Sequence, residues 1–133
     1  MGDDTTTIDA AELDARCARF FQYSAAHAWD ALANLCSPDT VFAQNGHDTD
    51  LAGLLAMVDG LTSSGIEYSY SNVRRVVAPE ARTVVEQHHV ILRRGDGVEA
   101  APDACIVMQF DEDGVITRVE EYLDTAALAP LFA

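Results

Sequence analysis

The hydrophobic pattern of the chain changes period once, near residue 65. Upstream, Leu13, Cys17, Phe20 and Phe21 recur three or four residues apart and Ser24 continues the stripe, the spacing of a helix with one face turned to a core. Asp9 and Glu12 have the spacing of a capping box, with Asp in place of Ser or Thr, and Ile8 and Leu13 stand where a hydrophobic staple packs. A helix is therefore predicted over 9–26. A second, short helix over 29–36 repeats the pattern with Leu32 and Leu35, and stops because the residue before Pro38 avoids the helical region. A strand over 40–44 and a turn at Asn45-Gly46-His47-Asp48 follow, and then Leu51, Leu54, Leu55, Val58 and Leu61 mark a third helix that ends at Ser63-Ser64-Gly65.

Downstream, the segments 66–77, 83–93, 104–110 and 115–123 are rich in Val, Ile, Tyr and Thr. Pro79-Glu80, Gly95-Asp96-Gly97 and Asp111-Glu112-Asp113-Gly114 separate them as turns, which predicts an antiparallel meander. A last short helix over 126–131, capped by Asp124 or Thr125, closes the chain. Helices followed by long antiparallel strands describe an α+β domain over 9–133, preceded by a flexible N-terminus over 1–8. Strands of about ten residues have to coil to stay packed, and a coiled sheet has a concave face that three helices cover only in part. A pocket between sheet and helices is the expected consequence.

Composition narrows the partners. Twenty-two Asp and Glu against eight Lys and Arg give a formal charge of −14, which repels phosphate backbones and anionic membrane surfaces, so neither nucleic acid nor membrane is expected. No apolar run is long enough to span a bilayer, and Met-Gly-Asp-Asp-Thr-Thr-Thr has neither the basic nor the apolar part of a secretion signal, so a cytoplasmic, soluble protein is expected. Cys17, Cys36 and Cys105 lack metal-ligand spacing and lie in apolar surroundings, as reduced buried thiols do.

The element order, together with Trp29-Asp30-Ala31-Leu32-Ala33-Asn34-Leu35-Cys36-Ser37-Pro38-Asp39-Thr40-Val41-Phe42 and Gly114-Val115-Ile116-Thr117-Arg118-Val119-Glu120-Glu121-Tyr122-Leu123-Asp124, resembles the NTF2-like superfamily over about residues 9–130. Within it the chain looks most like the SnoaL-like group of polyketide cyclases, ketosteroid isomerases and limonene epoxide hydrolases. The resemblance implies a cone of N-terminal helices packed on a strongly curved, mainly antiparallel sheet. It also implies a cavity without metal or other cofactor, in which carboxylates move protons on an apolar, cyclic or polyketide-like ligand, and a homodimer formed through the outer sheet face.

Carried over residue by residue, the resemblance separates these activities. The isomerase tyrosine, aspartate base and protonated aspartic acid fall on Phe20, Gln44 and near Ile106, so all three groups are missing. The epoxide hydrolase set keeps its last-strand carboxylate as Glu121 and its asparagine as Asn45, whereas its arginine, second aspartate and tyrosine fall on Gln87, His89 and Ala43. The polyketide cyclases rely on one acid/base carboxylate in the last strand, which Glu121 supplies.

Strand alternation gives Glu121 the apolar neighbours Val119 and Leu123 on its own face, the setting in which desolvation raises a carboxyl pKa and makes a usable general base. His88 and His89 point to opposite faces and cannot share one metal, so no metal site is expected. Alternation alone does not choose between them; the alignment places His89 and Gln87 in the cavity as proton-relaying or orienting groups. Asn45 or Gln44 would polarise a carbonyl or a water, Asn45 also being a strong turn former before Gly46. Phe20, Phe42 and Met108 are candidates for apolar wall, and Tyr68 lines either the pocket or a dimer interface. The competing reading is a non-catalytic module that binds a small ligand or pairs with another domain. An open cavity beside a buried, perturbed Glu121 favours the enzyme, and a cavity filled with aromatic side chains favours the module.

Overall fold

The structure, a computed structural model, describes residues 8–133, so the N-terminal segment expected over 1–8 lies outside the described residues except for Ile8. Asp9 caps α1 (Ala10–Ala25) by accepting the Glu12 N–H at 2.8 Å, and Ile8 and Leu13 both join the core. The Glu12 carboxylate turns instead to Arg16 at 2.9 Å and Arg19 at 3.0 Å. The buried residues of α1 are Leu13, Cys17, Phe20, Phe21 and Ser24, the stripe that its spacing predicts.

Helix α2 (Trp29–Ala33) is shorter than the predicted 29–36, because the chain is already extended at Cys36, the start of β1 (Cys36–Gln44). Thr40 fixes this early entry: its hydroxyl accepts from the Ser37 N–H at 2.8 Å and donates to the Ile116 carbonyl at 2.7 Å, taking up the ladder irregularity around Pro38. Asn45 and Gly46, with φ of 47° and 85°, make a two-residue hairpin turn. His47 and Asp48 therefore belong to a short strand, β2 (His47–Thr49), rather than to the turn. Asp50 caps α3 (Leu51–Ser63) by accepting the Gly53 N–H at 2.9 Å.

The strands β3 (Ile66–Ala78), β4 (Thr83–Arg94), β6 (Asp103–Phe110) and β7 (Ile116–Leu123) form the predicted antiparallel succession, with the two-residue β5 (Glu99–Ala100) paired to β4. β1 joins the far side of β7 in parallel, so the sheet runs β2-β1-β7-β6-β4-β3 and is mixed. Its concave face wraps α1, and Leu13, Leu32, Val84, Met108 and Ile116 are sealed between them. The last segment (Thr125–Phe132) is a 3₁₀ helix with Pro130 inside it, where an α-helical N–H would be needed.

One irregularity positions the site. Between Ser71↔His89 and Arg74↔Gln87 β3 carries an extra residue, and Asn72 takes a φ of 54°. Before this bulge Ile66, Tyr68 and Tyr70 face the core; after it Arg75 and Val77 do. Without the bulge, alternation from Tyr70 would turn Arg74 inward and Arg75 outward.

Candidate functional site

Between the concave face and the helices lies a cavity of about 550 Å³. Val119, Glu121 and Leu123 from β7, Phe42 and Gln44 from β1, Tyr68 and Tyr70 from β3, and Val90 and Leu92 from β4 form its sheet side. Phe20, Phe21 and Ser24 close it from α1, and Leu54, Met57, Val58 and Leu61 from α3. Only Val58 of α3 is fully buried, and Leu54, Met57 and Leu61 beside it face the cavity. Leu128 and Phe132 of the last segment complete the rim.

Glu121 is the buried carboxylate of this cavity, whereas Asp48, also on the lining, is exposed and paired with Arg118 at 3.0 Å. The parallel register Gln44↔Glu121 puts the two side chains in adjacent strands on one face, and Gln44 Nε2 donates to Glu121 Oε1 at 2.7 Å. Among the described residues the second carboxylate oxygen has no protein partner. Burial raises the Glu121 pKa above the ordinary carboxyl value, against the opposing pull of the Gln44 hydrogen bond and of charge on His88. A carboxyl with one oxygen fixed, the other free and its charged form disfavoured is equipped to exchange a proton with a bound molecule.

A second polar cluster stands two strands away, through the register Glu86↔Ile106↔Glu121. Glu86 is 1% exposed. Its Oε1 accepts from Arg75 Nη1 at 3.0 Å and from the Cys17 thiol at 3.7 Å, and its Oε2 lies 2.5 Å from His88 Nδ1. Arg75 also donates to Asp14 at 2.8 Å, and the two carboxylates hold its guanidinium pKa above the ordinary value. The His88 ring packs against Tyr70 and Phe21, with centroids at 4.6 and 5.0 Å. The Tyr68 and Tyr70 hydroxyls meet Ser24 Oγ at 2.9 and 3.1 Å, and burial raises both phenol pKa values.

The structure therefore brings together Glu121, Gln44, Phe20, Phe42 and Tyr68 and separates the other expected site residues from them. His89 and Gln87 lie on the outer face of β4, where His89 Nδ1 approaches Asp103 at 3.0 Å and Gln87 accepts from Arg74. The reason is strand parity: Val84, Glu86, His88, Val90 and Leu92 are buried, which sends the odd-numbered positions outward. Asn45 also lies apart, in an outer hollow with Gln87, His89 and Asp103. Both polar atoms of its amide bond the Leu123 backbone at 3.0 Å, which leaves it the turn and ladder role. Met108 is sealed in the core and does not reach the cavity.

Glu86, His88 and Arg75 escaped sequence reasoning. One signal was available within the predicted segment 83–93, since its odd positions begin at Thr83 and end at Arg93 whereas its even positions run from Val84 to Leu92, and the more polar ends mark the solvent side. Arg75 gave no such signal, because its facing depends on the bulge. Among the described residues no three His, Cys, Asp or Glu side chains gather as metal ligands. Cys17, Cys36 and Cys105 are unpaired, and burial pushes the Cys36 thiol up to about 11. No helix among the described residues is long and apolar enough to cross a membrane.

Comparison with known proteins places this geometry in a context. The model of the SnoaL-like domain family matches residues 17–119. No curated protein sequence matches the chain. A candidate polyketide cyclase from Xanthomonas campestris pv. campestris superposes with a TM-score of 0.79 at 15% identity, over 91% of this chain and 97% of its own. The pinacolase BvnE from Penicillium brevicompactum gives 0.76 at 16% identity, over 90% of each chain. An NTF2-like protein from Burkholderia pseudomallei K96243 gives 0.74 at 11% identity, over 92% of this chain and 98% of its own. At such identities the likeness is one of fold.

Proposed function

The chain belongs to the SnoaL-like domain family, and from that premise we propose that it is a small-molecule enzyme working by general acid/base chemistry without a metal or organic cofactor. Its ligand is an apolar, cyclic or polyketide-like molecule held in the cavity between sheet and helices, and the reaction is a proton transfer of the cyclase or isomerase type. The observation that carries this reading is Glu121: a carboxyl in an open apolar cavity, held by Gln44 through one oxygen and with its pKa raised by burial. A filled cavity would have favoured the non-catalytic module, and this one retains about 550 Å³.

In this reading Glu121 removes and returns the proton. Gln44 fixes the carboxyl plane, and Phe20, Phe42 and Tyr68 exclude water and hold the ligand body. Because the pKa of Glu121 is raised, its basic form appears only as pH climbs past the ordinary carboxyl range, and base-catalysed turnover rises with pH over that interval. The exposed Val76 and Tyr122 on the outer sheet face supply the surface for the expected homodimer.

The test is deuterium incorporation next to the carbonyl of 2-tetralone in D₂O, which reads proton transfer without requiring the natural substrate. Wild-type protein accelerates the exchange over buffer, and Glu121→Gln loses about 10²-fold or more of the acceleration while remaining folded. Equal rates for the two proteins contradict the assignment.

A further inference from the structure

The cavity lining holds three hydroxyls that the proton transfer at Glu121 does not use. Tyr68 and Tyr70 reach inward from β3, and Ser24 stands on the last turn of α1. In the sheet β3 is three strands from β7, so this cluster belongs to the side of the cavity away from Glu121.

Counting protons fixes the direction of every hydrogen bond in the cluster. Each hydroxyl carries one proton, and burial raises both phenol pKa values, so both phenols keep theirs. Tyr68 Oη donates to the Ser24 carbonyl, an acceptor near the end of α1, at 2.8 Å. Its proton is then spent, and the 2.9 Å contact between Ser24 Oγ and Tyr68 Oη is made with the proton of the serine. That proton is spent in turn, so the 3.1 Å contact between Ser24 Oγ and Tyr70 Oη is made with the proton of Tyr70. The hydrogen bonds therefore run from Tyr70 to Ser24 to Tyr68 to the helix carbonyl. They begin at the Tyr70 oxygen, whose lone pairs receive no hydrogen bond among the described residues.

Tyr70 is half-buried and on the cavity lining, so a molecule in the cavity can meet that oxygen. It offers lone pairs and no proton. A hydroxyl that already donates is the better acceptor, because chained hydrogen bonds polarise one another. A ketone, an ether or an ionised oxygen would set lone pair against lone pair here, whereas an alcohol, enol or phenol supplies the missing proton. An anion is disfavoured further: the chain has no lysine and none of its arginines is on the lining, while Glu121 and Asp48 are.

We propose that Tyr70 reads a hydroxyl on the ligand: its oxygen, held as an acceptor by Ser24 and Tyr68, takes a hydrogen bond from an un-ionised alcohol, enol or phenol group on the end of the ligand far from Glu121. This rests on the small-molecule reading of the cavity and narrows its ligand to one that is hydroxylated, and not acidic, at that end. Tyr70 sets specificity, and Ser24 is a positioning residue that keeps the Tyr70 proton turned away from the ligand.

The experiment measures the affinities of 2-naphthol and 2-methoxynaphthalene for the wild-type, Tyr70→Phe and Ser24→Ala proteins, with the Glu121 carboxyl ¹³C resonance followed alongside. The two ligands share an apolar body and an oxygen, and only the first donates a proton. Wild-type protein prefers 2-naphthol by on the order of tenfold. Tyr70→Phe keeps the ring, removes the oxygen and brings the two affinities to within about twofold of each other. Ser24→Ala leaves the Tyr70 proton without its acceptor and free to turn into the cavity, so 2-methoxynaphthalene gains on 2-naphthol; a merely structural serine would weaken both alike. Alanine suits a helix, and this variant carries the test should Tyr70→Phe fail to fold. No preference in wild-type protein, or a preference that survives both substitutions, overturns the role of Tyr70, and the role of Glu121 stands where its resonance responds to the ligands. A preference lost in both variants, with the Glu121 resonance indifferent to either ligand, upholds Tyr70 and contradicts the acid/base reading. Binding of neither ligand overturns both.

Discussion

A single pleat decides which side chains of β4 enter the interior. Glu86 and His88 are interior, and Gln87 and His89 are exterior, although the four are consecutive. The interior pair is expensive to disturb. Glu86 is buried among Arg75, His88 and Cys17, and removing its carboxylate leaves all three without that partner. Glu86→Ala is therefore expected to lose about 3–5 kcal/mol in urea unfolding. His89→Ala, whose side chain is 37% exposed beside Asp103, is expected to change stability by no more than about 0.5 kcal/mol. A larger loss at His89 than at Glu86 would mean that the parity is reversed. In the sequence Glu121 was legible and these two were not: Val119 and Leu123 give Glu121 an unambiguous apolar face, whereas apolar residues flank both histidines and an alignment one residue out of phase selects the wrong one.

At the scale of elements, the helices were read most fully because their signals are local. The α1 stripe and the caps at Asp9 and Asp50 depend on residues within a turn or two of one another. The parallel pairing of β1 with β7 depends on residues 77 to 80 positions apart in sequence and left no local trace. The β3 bulge is intermediate. Asn72 is a residue type that tolerates a φ of 54°, but nothing nearby marks it as a phase change rather than a strand position. Replacing Asn72 with Val places a β-branched side chain in the left-handed region and is expected to cost about 1–2 kcal/mol, while Asn72→Gly is expected to be neutral within about 0.5 kcal/mol. Equal denaturation midpoints for the two variants would show that the bulge relaxes without strain.

In the whole molecule, a mixed sheet closes over α1 at one end and leaves an apolar hollow under α3 and the last 3₁₀ segment at the other. The closed end supplies stability through Leu13, Leu32, Met108 and Ile116, and the open end supplies a water-poor space in which one carboxyl is held by Gln44. The cone was legible in the order of elements; the contents of its wall were not, since they depend on strand parity, one bulge and one parallel register. The role of Glu121 is the claim on which the functional reading stands. It is tested most directly by a ¹³C NMR titration of the Glu121 carboxyl in the free protein and again with 2-methylnaphthalene at saturation. A desolvated cavity carboxyl titrates above the ordinary value of 4.5 and moves further upward when an apolar ligand displaces the remaining water. A midpoint at or below 4.5 that does not respond to the ligand would contradict it.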